Sequence, residues 1–138
     1  MKHPVTLSFA LVLVALPAGA HAQQKDATGC QDHALFTRMP GYWIRDCGNT
    51  DFDAYAFFAG QGKTERFGGK VARLTYLTLG TLRNKPSALQ VLRNYENAAK
   101  AVGGTVVASN ADRETLRIAK DGKEFRVEVG YMIVAGTA

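Results

Sequence analysis

The chain has 138 residues, of which 46% are hydrophobic and 21% charged, and its formal net charge is +5. This is enough chain for one domain with a modest core and not for two. The 17 basic residues are interspersed with 12 acids, and no basic and aromatic stripe follows the spacing of a nucleic acid backbone, so a nucleic acid partner is not expected.

The first residues have the pattern of a cleavable export signal. Lys2 and His3 give a short basic start, residues 5–16 are apolar apart from Thr6 and Ser8, and Pro17, Gly19 and the triplet Ala20, His21, Ala22 complete the cleavage pattern. Cleavage after Ala22 leaves a mature domain of residues 23–138. The apolar run is shorter than the roughly 20 residues a spanning helix needs, and no later stretch is apolar enough to cross a membrane, so the mature chain is expected to have no transmembrane helix. Ala27, Thr28, Gly29 and Cys30 loosely mimic a lipidation site, but Lys25 and Asp26 separate that cysteine from the apolar run. The only two cysteines, Cys30 and Cys47, both lie in the exported part. An even count in an oxidising compartment favours a bridge between them, and a loop of that length stabilises by about 3 kcal/mol in the chain-entropy model.

Met39, Pro40 and Gly41 predict a turn before an aromatic strand at residues 42–45. A second strand is expected at 52–58, a turn at 60–63, an extended piece at 64–67 ended by Gly68 and Gly69, and a longer strand at 71–79. The aromatic cluster Phe36, Tyr42, Trp43, Phe52, Tyr55, Phe57 and Phe58 suits a half-buried sheet surface, with an exposed docking patch as the alternative. The helix is the clearest element. Ser87 and Gln90 form a capping box, and Ala88, Val91, Leu92, Tyr95, Ala98, Ala99 and Val102 recur at helical spacing. Arg93, Asn94, Glu96, Asn97 and Lys100 take the other face, and Gly103 and Gly104 end the helix. Beyond it, residues 105–109 read as extended. Residues 115–120 pair with 123–129 across Asp121 and Gly122, a strong hairpin signal, and residues 131–134 can add a last strand. The expected fold class is α+β: an antiparallel sheet with one amphipathic helix packed on one face, in the order β-β-β-α-β-β-β.

Catalytic and metal-binding patterns are weak. The mature chain keeps one histidine, His33, and two serines, Ser87 and Ser109, and Ser87 is engaged in the helix cap, so a nucleophile triad is not expected. His33 and Asp32 fall short of a zinc set. Gly62, Lys63 and Thr64 imitate the end of a phosphate-binding loop, but Phe57 stands where its first glycine belongs and no helix follows. Asp51 and Asp53 read as a solvated strand edge, with calcium or glycosidase use as the lesser alternative. No catalytic residue, metal site or cofactor is expected, and the chain is read as a protein that is not an enzyme.

Several stretches carry a resemblance. Gly29-Cys30-Gln31-Asp32-His33, then Thr37-Arg38-Met39-Pro40-Gly41-Tyr42-Trp43-Ile44 and Asp46-Cys47, followed by Phe52-Asp53-Ala54-Tyr55 and Phe57, resemble the N-terminal region of bacterial OmpA-family outer-membrane proteins. Ser87-Ala88-Leu89-Gln90-Val91-Leu92-Arg93-Asn94-Tyr95-Glu96-Asn97-Ala98, Gly103-Gly104-Thr105-Val106, Asp121-Gly122-Lys123-Glu124 and Val127-Glu128-Val129 continue it. In that family the region precedes a C-terminal domain that binds peptidoglycan. That domain has no counterpart here, so its binding residues transfer to no position of this sequence. The family usually carries a tryptophan ahead of the late Val-Glu-Val run, where Phe125 and Arg126 stand here.

The resemblance implies a non-enzymatic module of the cell envelope, in the periplasm or on the periplasmic side of the outer membrane, acting by binding or structural support. Its expected partners are envelope components, either outer-membrane proteins or a peptidoglycan-associated assembly. A small periplasmic enzyme or ligand carrier is the alternative. Arg93 and Asn97, one helical turn apart on the polar face, together with Asn94 and Trp43, are the candidate partner-binding residues, with capping and bridging to neighbouring loops as the plainer role for the helical three.

Overall fold

The computed structural model describes residues 24–78 and 84–133. The expected export signal lies outside the described residues, as do Leu79 and Val134, where two expected strands end. The elements are β1 (Tyr42–Gly60), β2 (Lys63–Thr78), α1 (Ala88–Ala101), β3 (Thr105–Ser109), β4 (Arg113–Lys120) and β5 (Lys123–Gly130). This is the α+β class with antiparallel strands and one helix, but the order before the helix differs from expectation. Among the described residues two strands precede it, and the strands form two sheets, β1-β2 and β3-β4-β5.

The difference comes from two joins: residues 46–51 carry the expected strands 42–45 and 52–58 into the single β1, and the glycine pair does the same within β2. Gly68 and Gly69 do not end a strand; they pair with Ala54 and Asp53 inside one long ribbon, next to a register shift between Thr50 and Asp53. A bulge absorbs the one extra residue of β1 and bends the strand without breaking it. The Phe52 ring lies over Gly68, with its Cζ 3.5 Å from where a β-carbon would stand, so the aromatic ring covers a backbone that glycine leaves bare. The ribbon closes through Gln61 and Gly62, with φ of 50° and 72°. Asp121 and Gly122 close the β4-β5 hairpin at φ of 54° and 71°; both turns have the left-handed pair that matches strand twist.

The helix forms as its sequence dictates. The Ser87 hydroxyl accepts from the Gln90 N–H and the Gln90 side chain accepts from the Ser87 N–H. Val91, Leu92 and Ala99 are buried, and Ala99 packs with Leu116 and Ile118, all three at 0% exposure. Each fully buried Leu or Ile contributes about 1.5–3 kcal/mol. Val102, expected on the apolar stripe, is instead the exposed C-cap, because the chain turns away at Gly103 with φ of 82°. Gly104 then passes so close to the helix that a β-carbon would stand 2.8 Å from the Ala99 carbonyl oxygen and 2.9 Å from Ile118 Cγ1.

Alternation along β4 divides the three-stranded sheet into two faces. Glu114, Leu116 and Ile118, paired with Val129, Val127 and Phe125, face the helix together with Leu35 and Phe36. Thr115, paired with Glu128, takes the opposite face, where the Glu128 carboxylate accepts from the Phe58 N–H at 2.7 Å and the Tyr55 hydroxyl at 3.1 Å. Arg126 stacks over the Phe67 ring at 4.4 Å. The molecule is therefore layered: helix and N-terminal segment, three-stranded sheet, then one end of the β1-β2 ribbon. The aromatic cluster is largely absorbed in this packing. Tyr55 and Phe57 meet edge to face at 4.7 Å, Phe36 and Tyr95 at 5.4 Å, and only Phe52 of the cluster is strongly exposed.

The N-terminal segment is fastened at several points. The Cys30–Cys47 disulfide ties it to β1, with the two Cα atoms 5.8 Å apart. The Arg38 guanidinium grips Asp26 and Asp32, with Nη2 2.7 Å from Asp26 Oδ2 and Nε 2.9 Å from Asp32 Oδ2. The Ile44 N–H and the Tyr76 hydroxyl donate to the same two carboxylates. Among the described residues no helix is long and apolar enough to cross a membrane.

Candidate functional site: the groove between α1 and β3

Helix α1 covers only part of the three-stranded sheet, and an open groove of about 660 Å³ runs between it and the edge strand β3. The helix contributes Leu89, Leu92, Arg93, Glu96 and Lys100. The opposite wall is Gly104, Thr105 and Val106 with the β3-β4 turn at Ser109, Asn110 and Ala111, and Glu114 of β4 also lines the groove. The walls are thus mostly apolar and uncharged, and the charged groups gather on the helix and at Glu114.

Two carboxyl groups with different environments meet here. Glu96 is held by both of its oxygens: Lys100 Nζ is 2.6 Å from Oε1 and Arg93 Nη1 2.9 Å from Oε2. The hydrogen bond from Lys100, with Arg93 beside it, keeps the Glu96 carboxyl below its ordinary range. Glu114 is 1% exposed, and its Oε1 has no hydrogen-bond donor among the described residues. Burial first, and repulsion from Glu96 second, push its pKa up to about 7, while Arg93 and Lys100 pull weakly the other way. The pair therefore holds one ionised carboxylate and one carboxyl that titrates near neutrality.

Sequence reasoning missed both residues. Glu96 stands on the helix's polar face by residue type, yet it follows Leu92 by four and precedes Ala99 by three, which is the spacing of the buried stripe. Glu114 lies one residue ahead of the expected strand. Extending the Leu116 and Ile118 alternation back by two positions places it on the core face.

The sequence-predicted residues separate. Arg93 lines the groove. Asn94 and Asn97 are exposed on the helix but do not line it. Trp43 sits on β1 opposite Leu77, half-buried, with its Nε1 buried and without a hydrogen-bond partner among the described residues. His33 Nδ1 accepts from the Leu35 N–H at 3.3 Å and its ring meets Phe125 edge to face at 6.2 Å, a packing role. Asp53 lies 3.5 Å from Arg73. Among the described residues no group of three or more His, Cys, Asp or Glu side chains is arranged to hold a metal ion. No protein-family model matches this chain, and comparison with curated proteins and with solved structures finds no match either.

Proposed function

We propose that this chain is a non-enzymatic module of the bacterial cell envelope, exported to the periplasm or the periplasmic side of the outer membrane, which binds an envelope component through the α1–β3 groove. The export pattern of residues 1–22, the Cys30–Cys47 bond and the resemblance to the N-terminal region of OmpA-family proteins support the address. The observation that carries the binding role is Glu114, a residue of the groove lining whose carboxyl is buried to 1% exposure and has one oxygen without a donor among the described residues. A buried acceptor without a donor costs about 1–3 kcal/mol, and a ligand that supplies the donor recovers that cost. Arg93 belongs to the same surface, and Asn94 and Asn97 extend it along the exposed helix face.

Retention of residues 23–138 on envelope fractions, purified peptidoglycan and outer-membrane proteins, with and without reductant, tests this reading. Leu89→Glu, at an exposed groove wall, is expected to abolish retention. Asn94→Ala combined with Asn97→Ala is expected to weaken it less. Retention on none of these fractions, or retention indifferent to Leu89→Glu, overturns the groove as the binding surface.

One observation favours the runner-up, a small periplasmic enzyme or carrier. A carboxyl titrating near 7 beside an ionised one is the pairing that general acid and base catalysis uses. The groove is open and no histidine or cysteine lines it, which supports binding over chemistry. Glycan hydrolysis by the purified domain, lost in Glu114→Gln, would replace the first reading with the second.

A further inference from the structure

We infer that the α1–β3 groove takes an alkylammonium group, a positive charge carried on an apolar stem, with the Glu114 carboxylate as its partner. This rests on the groove being the binding surface and names the chemistry of what enters it.

Glu96 has Lys100 on one oxygen and Arg93 on the other, so those two cations are engaged, and both reach toward solvent, with side chains 55% and 62% exposed. What remains is Glu114, buried, with Oε1 lacking any donor among the described residues. A ligand anion or carbonyl would leave that acceptor unsatisfied, whereas an ammonium group supplies both hydrogen-bond donors and the opposite charge. Glu96 is the nearest like charge acting on Glu114, and the two cations that act in the opposite sense, Arg93 and Lys100, are the ones already paired with Glu96. The stem is set by the walls: Leu89, Leu92 and Val106 flank the approach, and they suit methylene groups better than a fully hydrated ion.

Binding of this kind competes with a proton for Glu114. The charged groups facing it from the helix are Glu96, Arg93 and Lys100. The groove residues of β3 and its turn carry no charge, and its cross-strand neighbour on β5 is Val129. With Glu96 kept ionised by its two cations, Glu114 is the group that titrates as the ligand enters.

The same chemistry could come from a free amine or from a lysine side chain of an extended polypeptide laid along the open edge of β3. Titration of the isotope-labelled mature domain with n-hexylammonium, and with a short capped peptide holding one lysine between valines, followed by amide chemical shifts, tests both, with hexanoate as control. Saturable shifts confined to residues 89–114 are expected for the ammonium probes, and affinity should fall on the order of tenfold between about pH 8 and pH 5.5, as Glu114 takes up its proton. Glu114→Gln should weaken binding by about tenfold or more at the higher pH and remove the pH dependence. Tighter binding of the peptide assigns a polypeptide source, and equal binding a free amine. Binding of hexanoate in preference to both ammonium probes, or pH-independent binding, overturns the inference. If hexylammonium and the peptide both fail while envelope retention still depends on Leu89, the groove reading stands and the ammonium assignment falls; if retention fails as well, both fall.

Discussion

Burial without a donor makes Glu114 easier to protonate in the folded chain than in the unfolded one, its pKa standing at about 7 against an ordinary 4.5. A folded pKa above the unfolded one contributes stability that is complete below the unfolded value and is lost as pH rises toward the folded one. Glu114→Gln should therefore leave the thermal midpoint near its wild-type value at about pH 4.5 and raise stability by on the order of 2 kcal/mol at about pH 8, read by circular dichroism melts. Asp26 works in the opposite sense. The hydrogen bond from Arg38, with that from the Ile44 N–H, holds its pKa at about 2, so its contribution is present above the ordinary carboxylate range and disappears as pH falls through that value. Asp26→Asn should lower the melting midpoint at neutral pH, with the difference closing in strong acid. Neither environment is legible from residue type alone. In the sequence Asp26 shows only as a charge between the apolar run and Cys30, and it is the return of β1 past it that supplies the Ile44 amide.

Among the elements, the connection from α1 to β3 tolerates least. A methyl group at Gly104 would press on the Ala99 carbonyl at 2.8 Å and on Ile118 at 2.9 Å, and neither the helix backbone nor a fully buried isoleucine can withdraw. Gly104→Ala should cost about 1–3 kcal/mol in urea-induced unfolding, and pairing it with Ile118→Val should not recover that loss, because valine keeps a γ-carbon where the new methyl meets Ile118 Cγ1 and the Ala99 carbonyl stays in place. The helix and the β4-β5 hairpin were readable because their signals are local: a reciprocal cap at Ser87 and Gln90, a stripe at helical spacing, and Asp121-Gly122 between alternating segments. The β1-β2 ribbon was not. Its two strands run 19 and 16 residues, far beyond the usual five or six, and Gly68 and Gly69 look like punctuation when the partner strand that bridges them is unseen. The groove was half legible: Arg93 lay on the expected face, while Glu96 and Glu114 required the packing of helix on sheet to give them meaning.

At the scale of the whole molecule, two sheets share no strand and are held together by side chains. Glu128 is the main polar link, reaching from β5 to the Phe58 amide and the Tyr55 hydroxyl of β1, with Arg113 3.8 Å away. Glu128→Ala leaves the Phe58 amide without that acceptor and should cost about 1–3 kcal/mol. It should also separate the melting of the ribbon, followed by Trp43 fluorescence, from that of the helix, followed by far-ultraviolet dichroism. Coincident transitions in the variant would show that apolar packing alone couples the layers. Every strand pairing, moreover, joins strands that are consecutive along the chain. Neither sheet waits for a distant segment before it can close, so loop-closure entropy within each is small. The time taken to reach the native state is then governed by the docking of a long hairpin on a three-stranded meander, each of which closes from its own consecutive segments.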